Sequence, residues 1–118
     1  TKNKVLQEMN EVIKDEASFT NENLNKLNYM TAVFKECLRI ASPAPLTLYR
    51  TAIKDVKLSD DFIIKKGTEV STTFFSLNHS KEYHDEPEKF NPTRWLDPNS
   101  RTYKATQKNP FVFTPFSA

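Results

Sequence analysis

The chain has 118 residues, of which 37% are hydrophobic and one is glycine, and 17 basic and 15 acidic side chains give a net charge of +2. This balance excludes a strongly basic nucleic-acid-binding protein and an acidic tail. The sequence has no apolar run of the ~18 residues that span a membrane. Its single cysteine excludes an internal disulfide framework and a multi-cysteine zinc site.

Helices are predicted in the first part of the chain, where no proline occurs. Apolar residues at steps of three and four predict an amphipathic helix over residues 2–17. Thr20 or Asn21 then provides an N-cap for a short helical segment that carries Leu24 and Leu27.

A third helix is predicted over residues 29–41, and the Ser-Pro pair that follows ends it. Its apolar stripe predicts a buried thiol at Cys37, and the members of the stripe are Met30, Val33, Phe34, Cys37, Leu38 and Ala41. Glu36 and Arg39 lie on the far side and are close enough to pair. The pair is either exposed to solvent or buried against another segment, and the spacing alone favours the exposed pair.

Strands are predicted in the middle of the chain by β-branched and aromatic residues, over residues 46–50, 55–58, 62–64 and 69–75. The segment 65–68 is a predicted turn, in which Gly67 takes a positive φ without strain. Residues 76–86 include a predicted short helix. From Pro87 onward no periodicity is visible, and this aromatic-rich part is predicted to be irregular.

Few residues indicate a particular chemistry. His79 and His84 lie among acidic residues, but their spacing matches no strong metal-ligand pattern and favours a solvated loop. No nucleophile with an orienting base is apparent, and one glycine excludes a glycine-rich phosphate-binding loop. The residues alone therefore indicate an α+β protein with an aromatic C-terminal segment. They do not indicate a function.

Five short segments occur in a distinctive order, namely E-C-L-R at 36–39, I-K-K-G-T at 64–68, N-H-S-K at 78–81, F-N-P-T-R-W at 90–95 and F-T-P-F-S-A at 113–118. In the same order they resemble the E-x-x-R, I-P-K-G-T, H-R-D-P and F-x-P-E-R-F motifs of cytochrome P450, the haem-thiolate monooxygenase family, and the approach to its haem loop, F-x-x-G-x-R-x-C-x-G. Thr93 and Trp95 stand where the family usually has Glu and Phe.

The resemblance implies an α+β fragment of the mainly helical cytochrome P450 fold. Residues 2–17 resemble its J helix and residues 29–41 its K helix, followed by short β-strands and an irregular meander. Residues 1–118 would then form a partial domain, incomplete at both ends. The axial cysteine is expected beyond Ala118, because Cys37 lies inside the E-x-x-R motif.

The resemblance also implies roles for individual residues. Glu36, Arg39 and Arg94 would form a buried structural network. Arg50 and Phe116 would bind the cofactor, with Arg50 contacting a haem propionate, although an exposed arginine at a strand end is an equal alternative. The substrate pocket would be lined by a mostly apolar segment, which equally fits plain core packing and contains Ala44, Leu46, Thr47 and Leu48.

The function implied for the whole protein is hydroxylation of a small, apolar organic substrate with O2 and two electrons. It would use haem and a flavoprotein reductase or other electron donor, with no nucleic-acid partner. No catalytic residue or metal ligand is expected within the 118 residues. A eukaryotic member would be attached to the endoplasmic reticulum membrane by an N-terminal anchor. The alternatives are a stand-alone, non-catalytic α+β interaction module and a degenerate relative without haem.

Overall fold

The chain is elongated in the computed structural model, which describes residues 1–43, 45–46 and 48–116. Its radius of gyration is 18.6 Å and its principal extents are 58 × 30 × 22 Å. A compact domain of this length would have a radius of gyration of about 13–14 Å. The elongated shape leaves many large apolar side chains exposed, Phe34, Leu48, Ile53 and Phe62 among them.

The N-terminal part forms two short helices. Helix α1 (Lys2–Val12) ends earlier than predicted, because the Asp15 carboxylate accepts the backbone N–H of Ser18 at 2.8 Å and starts a 3₁₀ turn. Helix α2 (Asn21–Leu24) follows, and Thr20 is its N-cap as predicted. Local capping therefore sets the end of α1 and the start of α2.

Helix α3 (Asn28–Ile40) confirms the third predicted helix within one residue at each end. Its N-cap residue, Leu27, has no side-chain acceptor for the first N–H groups. Glu8 of α1 supplies one instead, and its two carboxylate oxygens accept the backbone N–H groups of Tyr29 and Met30 at 2.8 Å each. Helix α1 is thereby fastened to the start of α3.

The buried face of α3 is not its apolar stripe. Its buried residues are Ala32, Glu36 and Arg39. The prediction of a buried thiol is wrong for the described residues, because Cys37 is exposed, and Phe34 of the same stripe is 60% exposed. The reason is tertiary: the segments packed on α3 meet its polar face with hydrogen-bonding groups.

The strands form two small antiparallel sheets. Strand β1 (Arg50–Thr51) pairs with β4 (Glu69–Val70), and β2 (Val56–Ser59) forms a hairpin with β3 (Phe62–Ile64). Gly67 has φ +86° in the predicted turn and donates its N–H to the Ala52 carbonyl at 2.7 Å. The strands at 55–58 and 62–64 are confirmed within one residue at each end.

Two predicted strands are mostly wrong. Of residues 46–50, only Leu46, in an isolated bridge with Thr73, and Arg50 have strand pairing among the described residues. The strand predicted over 69–75 ends at Val70. Its last two residues begin helix α4 (Phe74–Asn78), because the Thr73 hydroxyl caps that helix by accepting the backbone N–H of Ser76 at 3.3 Å.

The segment after Pro87 contains more structure than predicted. A 3₁₀ turn covers Pro92–Trp95, helix α5 covers Arg101–Lys108, and a second 3₁₀ turn covers Pro110–Val112. The prediction of an irregular chain is therefore wrong for α5, whose N-cap is Ser100. Its sequence, R-T-Y-K-A-T-Q-K, has too few apolar residues for a visible helical period.

Within the described ranges, no helix has both the length and the apolar character that crossing a membrane requires.

Candidate functional site

The candidate site is built around the carboxylate of Glu36. Helix α3 places Glu36 and Arg39 three residues apart on one face, and both side chains are 0% exposed. Arg39 donates from Nε to one carboxylate oxygen at 3.0 Å and from Nη2 to the other at 2.9 Å. The structure thus holds the pair in the bidentate geometry that favours an Arg–carboxylate interaction, and the exposed alternative is wrong.

The 3₁₀ turn Pro92–Trp95 brings Arg94 to the same carboxylate. Arg94 Nε donates to Glu36 Oε1 at 3.0 Å, and its side chain is 3% exposed. The backbone N–H of Asn91 donates to the same oxygen at 2.9 Å. The Asn91 side chain accepts the Thr93 N–H and so caps the turn that carries Arg94. Glu36 therefore links α3 to a segment more than fifty residues away.

Trp95 is a member of this site that the sequence interpretation missed. Its indole Nε1–H donates to Glu36 Oε2 at 2.9 Å. Its ring packs against Phe113 with 4.6 Å between centroids, and the ammonium of Lys35 lies 5.8 Å from the ring centroid. The signal was present in the sequence, since Trp stands where the family usually has Phe and carries a donor that Phe lacks.

Backbone carbonyls balance the excess positive charge of two guanidinium groups and one carboxylate. Arg39 Nη1 donates to the Asn78 carbonyl at 2.8 Å. Arg94 Nη2 donates to the Lys89 carbonyl at 3.1 Å, and Arg94 Nη1 donates to the Asp85 carbonyl. These contacts satisfy the buried N–H groups of the two guanidinium groups. They also attach residues 78–95 to helix α3.

The carboxyl of Glu36 is held in its charged form. Burial by itself would raise the pKa of this group, but hydrogen bonds from Arg39, the Asn91 backbone and Trp95, with the charge of Arg39, outweigh it. The pKa therefore lies below the ordinary value of 4.5. The network consequently keeps its negative centre at neutral pH.

His84 lies in the protein interior beside this network. It is fully buried, with 2.9 Å between its Nδ1 and the Thr102 hydroxyl of α5. Burial, followed by the positive charges of Arg39 and Arg94, lowers the pKa of His84 to about 4. The predicted solvated loop is therefore wrong for this residue, whereas the half-buried His79 stacks on Phe75 with ring centroids 4.2 Å apart.

A metal site at these histidines finds no support in the part of the chain that the structure describes. No group of three or more His, Cys, Asp or Glu residues there could hold a metal ion.

Two predicted cofactor-binding residues lie apart from the network. Arg50 is exposed at the start of β1 and has no ion-pair partner within the described ranges. Phe116 is also exposed. Neither residue forms a hydrogen bond or ion pair with the network. Of the predicted site residues that the structure describes, it therefore brings together Glu36, Arg39 and Arg94.

The predicted pocket-lining segment is described only in part. Leu46 and Leu48 are exposed, so these side chains are not packed in a core of the described residues. Ala44 and Thr47 lie outside the described residues.

Comparison of the whole chain with known proteins identifies its family. The sequence profile of the family described as Cytochrome P450 matches residues 1–118. The chain is 36% identical over 95 residues to "Putative cytochrome P450 520B1" of Dictyostelium discoideum, covering 80% of this chain and 20% of that protein. It is 33% identical over 115 residues to "Cytochrome P450 71A8" of Mentha piperita, covering 98% of this chain and 22% of that protein.

Solved structures give the same result. "Retinoic acid bound cyanobacterial CYP120A1" superposes with a TM-score of 0.79 at 29% identity, over 98% of this chain and 25% of that one. A zebrafish cytochrome P450 with abiraterone gives a TM-score of 0.76 at 28% identity, over 98% and 25% respectively. The predicted α+β fragment of the cytochrome P450 fold is confirmed, and the chain spans about a fifth of the length of these curated relatives. The chain belongs to the cytochrome P450 family, whose members are in general haem-binding monooxygenases.

Proposed function

We propose that the whole protein containing this chain is a haem-dependent monooxygenase that uses O2 and two electrons to hydroxylate a small organic substrate. The observation that carries the proposal is the carboxylate of Glu36, which accepts hydrogen bonds from α3 and from the 90–95 segment at once. These are the two segments that resemble the E-x-x-R and F-x-P-E-R-F motifs of the family. Spatial convergence of two motifs supports a common role better than either motif alone.

The role proposed for Glu36, Arg39 and Arg94 is structural. The three side chains are buried and saturated with protein partners, so they are not available to substrate. They fasten the 78–95 segment to α3 and thereby support the scaffold around the cofactor. Removing one partner of such a buried group costs about 3–5 kcal/mol.

The residues of the chain fit a haem at its periphery. The exposed guanidinium of Arg50 is free of carboxylate partners in the described ranges and suits a propionate, with which it would form a charge-assisted pair. Phe116 offers an exposed aromatic surface within the segment that resembles the approach to the haem loop. When bound by a cysteine thiolate, haem supplies the iron chemistry that favours O–O cleavage.

The axial thiolate is proposed to lie outside the 118 residues. Cys37 is held on helix α3 between Glu36 and the rest of the E-x-x-R motif. Ligation by Cys37 would require the helix that carries the buried network to face the iron. The cysteine of the haem loop is therefore expected after Ala118.

The proposal also covers the substrate, the electron donor and the membrane attachment of the whole protein. Leu46 and Leu48 present apolar side chains that suit a pocket for an apolar substrate, with packing in the core of the whole protein as the alternative. The electrons would come from a flavoprotein reductase or another donor. Attachment to the endoplasmic reticulum membrane through an N-terminal anchor is part of the proposal, since the matched relatives of Dictyostelium discoideum and Mentha piperita are eukaryotic.

The test begins with the coding sequence downstream of Ala118. The proposal expects a G-x-R-x-C-x-G motif there, whereas a stop codon would favour the stand-alone module or the degenerate relative without haem. The whole protein is then purified, its haem is quantified, and the absorption spectrum of its reduced carbon monoxide complex is recorded. Stoichiometric haem with the thiolate-type spectrum supports the function, and protein that folds without haem contradicts it.

A further inference from the structure

Glu86 has a backbone conformation that the local sequence does not favour. Its φ is 45°, and among the residues that the structure describes it is the one non-glycine residue with a positive φ. A residue with a β-carbon is disfavoured there, because that carbon comes too close to the backbone. The residue before a proline is also restricted to extended conformations with a negative φ, and Pro87 follows directly. Two local preferences therefore oppose the conformation that is observed.

The Glu86 side chain does not explain this conformation. It forms an ion pair with Lys89, but the two side chains are 68% and 70% exposed. Exposed pairs of this kind contribute little to stability, because water screens the charges. The cause of the positive φ therefore lies in the backbone contacts of the loop formed by residues 85–89.

The backbone of the 85–89 loop contacts a single guanidinium group. Arg94 donates from Nη1 to the Asp85 carbonyl and from Nη2 to the Glu86 carbonyl at 3.2 Å. The backbone dihedral angles of Glu86 set the angle between these two consecutive carbonyls. In an extended chain consecutive carbonyls point to opposite sides, so one guanidinium could not bind both. The positive φ allows both carbonyls to face Arg94.

Arg94 cannot follow the loop, because it is held from the other side. Its Nε donates to the Glu36 carboxylate at 3.0 Å, and its side chain is 3% exposed. Its Nη2 also donates to the Lys89 carbonyl at 3.1 Å, so the guanidinium binds both ends of the loop. A disfavoured backbone conformation persists only where its surroundings determine it. The guanidinium of Arg94 is in the position to do so.

We propose that Arg94 holds the 85–89 loop closed in a strained conformation, and that the loop relaxes toward an extended backbone when the guanidinium is lost. His84, the residue directly before the loop, is fully buried in the closed conformation. The loop is thus a conformational device that one distant side chain keeps closed. The proposal concerns the loop alone and does not depend on the proposed function.

The test uses the whole protein with Glu86→Gly and Glu86→Ala, each in the wild-type and in the Arg94→Lys background. Glycine takes a positive φ without strain, whereas alanine keeps the β-carbon, and both remove the ion pair with Lys89. The readout is native-state hydrogen exchange at the Lys89 N–H, which donates to the Glu86 carbonyl at 2.9 Å and so reports opening of the loop. The internal control is the Leu96 N–H, which donates to the Thr93 carbonyl at 3.0 Å in the following turn.

In the wild-type background, exchange at Lys89 should be about threefold slower in Glu86→Gly than in Glu86→Ala, because only glycine relieves the strain of the closed loop. Exchange at Leu96 should be equal in the two variants. In Arg94→Lys, exchange at Lys89 should be faster in both, and glycine should lose its advantage because the loop is already relaxed.

Glu88→Gly and Glu88→Ala form the matched control pair. Glu88 is an exposed residue of the same loop and does not have a positive φ. Glycine brings no relief of strain at this position, so alanine should give the slower exchange at Lys89 after correction for the intrinsic rates.

Two results would overturn the proposal. If Glu86→Ala exchanges as slowly as Glu86→Gly in the wild-type background, the loop stores no strain. If glycine keeps its full advantage in Arg94→Lys, the strain does not come from Arg94. Should Arg94→Lys fail to fold, the comparison between the two pairs decides, and an advantage for glycine at Glu88 as large as that at Glu86 overturns the proposal.

Discussion

The surroundings of Glu36 and the β2–β3 hairpin differ in what they bury. Around Glu36 the largest fully buried side chains are mainly polar, and they include Arg39, His84, Asn78 and Thr102. In the hairpin every residue of β2 is exposed, and apolar side chains such as Leu58 and Phe62 face solvent within the described residues. Apolar sequence and burial are thus nearly reversed between the two regions.

One ion pair from each region shows how burial changes the strength of a charge interaction. Lys65 and Asp55 beside the hairpin approach to 2.8 Å, and Arg39 and Glu36 approach to 2.9 Å. The first pair is largely exposed and screened by water, whereas the second is fully buried. Distance alone therefore does not rank the pairs. Burial makes the Glu36–Arg39 pair the one whose disruption is costly, because removal of one partner leaves a buried charge unpaired.

The largest expected effect comes from Glu36→Ala in the whole protein. The change leaves two buried guanidinium groups without a counter-charge, and we expect a loss of about 3–5 kcal/mol and no haem incorporation. Arg39→Ala should behave in the same way. Haem content per purified protein checks both variants.

Glu22→Ala is the matched control for Glu36→Ala. It breaks an exposed pair with Lys26 that has an N–O distance of 3.0 Å, and we expect normal haem content. Normal haem in Glu36→Ala would show that the contrast between buried and exposed pairs has no functional weight.

Arg94→Lys tests whether the shape of the guanidinium group matters beyond its charge. A lysine cannot donate to Glu36 and to the Asp85 and Lys89 carbonyls together. We expect a loss of about 3 kcal/mol in the free energy of unfolding, the upper range for hydrogen bonds to charged groups. Urea unfolding measures it. Arg101→Lys, at an exposed arginine, should change the urea midpoint little, and equal effects at both positions would refute the role of the fork.

The lowered pKa of His84 predicts that the free energy of unfolding falls in acid. Its pKa is 6.5 in the unfolded chain and about 4 in the folded one, so the unfolded state binds a proton first as the pH falls. Stability is complete above pH 6.5 and declines below it. Between pH 6.5 and 4.5 we expect His84 to contribute a loss of about 2 kcal/mol.

Urea unfolding at several pH values measures this decline. His84→Phe should lower the overall stability, because Thr102 loses its partner, but it should flatten the pH dependence over the same window. An unchanged slope in this variant would assign the acid sensitivity to other groups.

The smallest effect is expected at the hairpin. Lys65→Ala removes the exposed pair with Asp55, and since solvent screens such charges, the urea midpoint and haem content should stay at wild-type values. A marked loss would mean that the hairpin is as well supported as the region around Glu36, which would remove the contrast between them.

Much of the local structure could be predicted because its cause is local. Helix α3 follows from its periodicity, α2 from its Thr20 cap, and the turn from Gly67. Helix α5 could not be found in this way, because its stability comes from the Ser100 cap and from the packing of Thr102 on His84 rather than from an apolar stripe.

The sequence by itself determined that Glu36 and Arg39 share one face of a helix, and the order of its motifs determined the family. The helical spacing alone favoured an exposed pair and the family resemblance a buried one, and the tertiary structure shows that this polar face is buried while Cys37 is exposed. The partners responsible, Arg94 and Trp95, lie 58 and 59 residues away from Glu36. The physical reason is that burial of a charged residue depends on donors from distant segments, which no local pattern records.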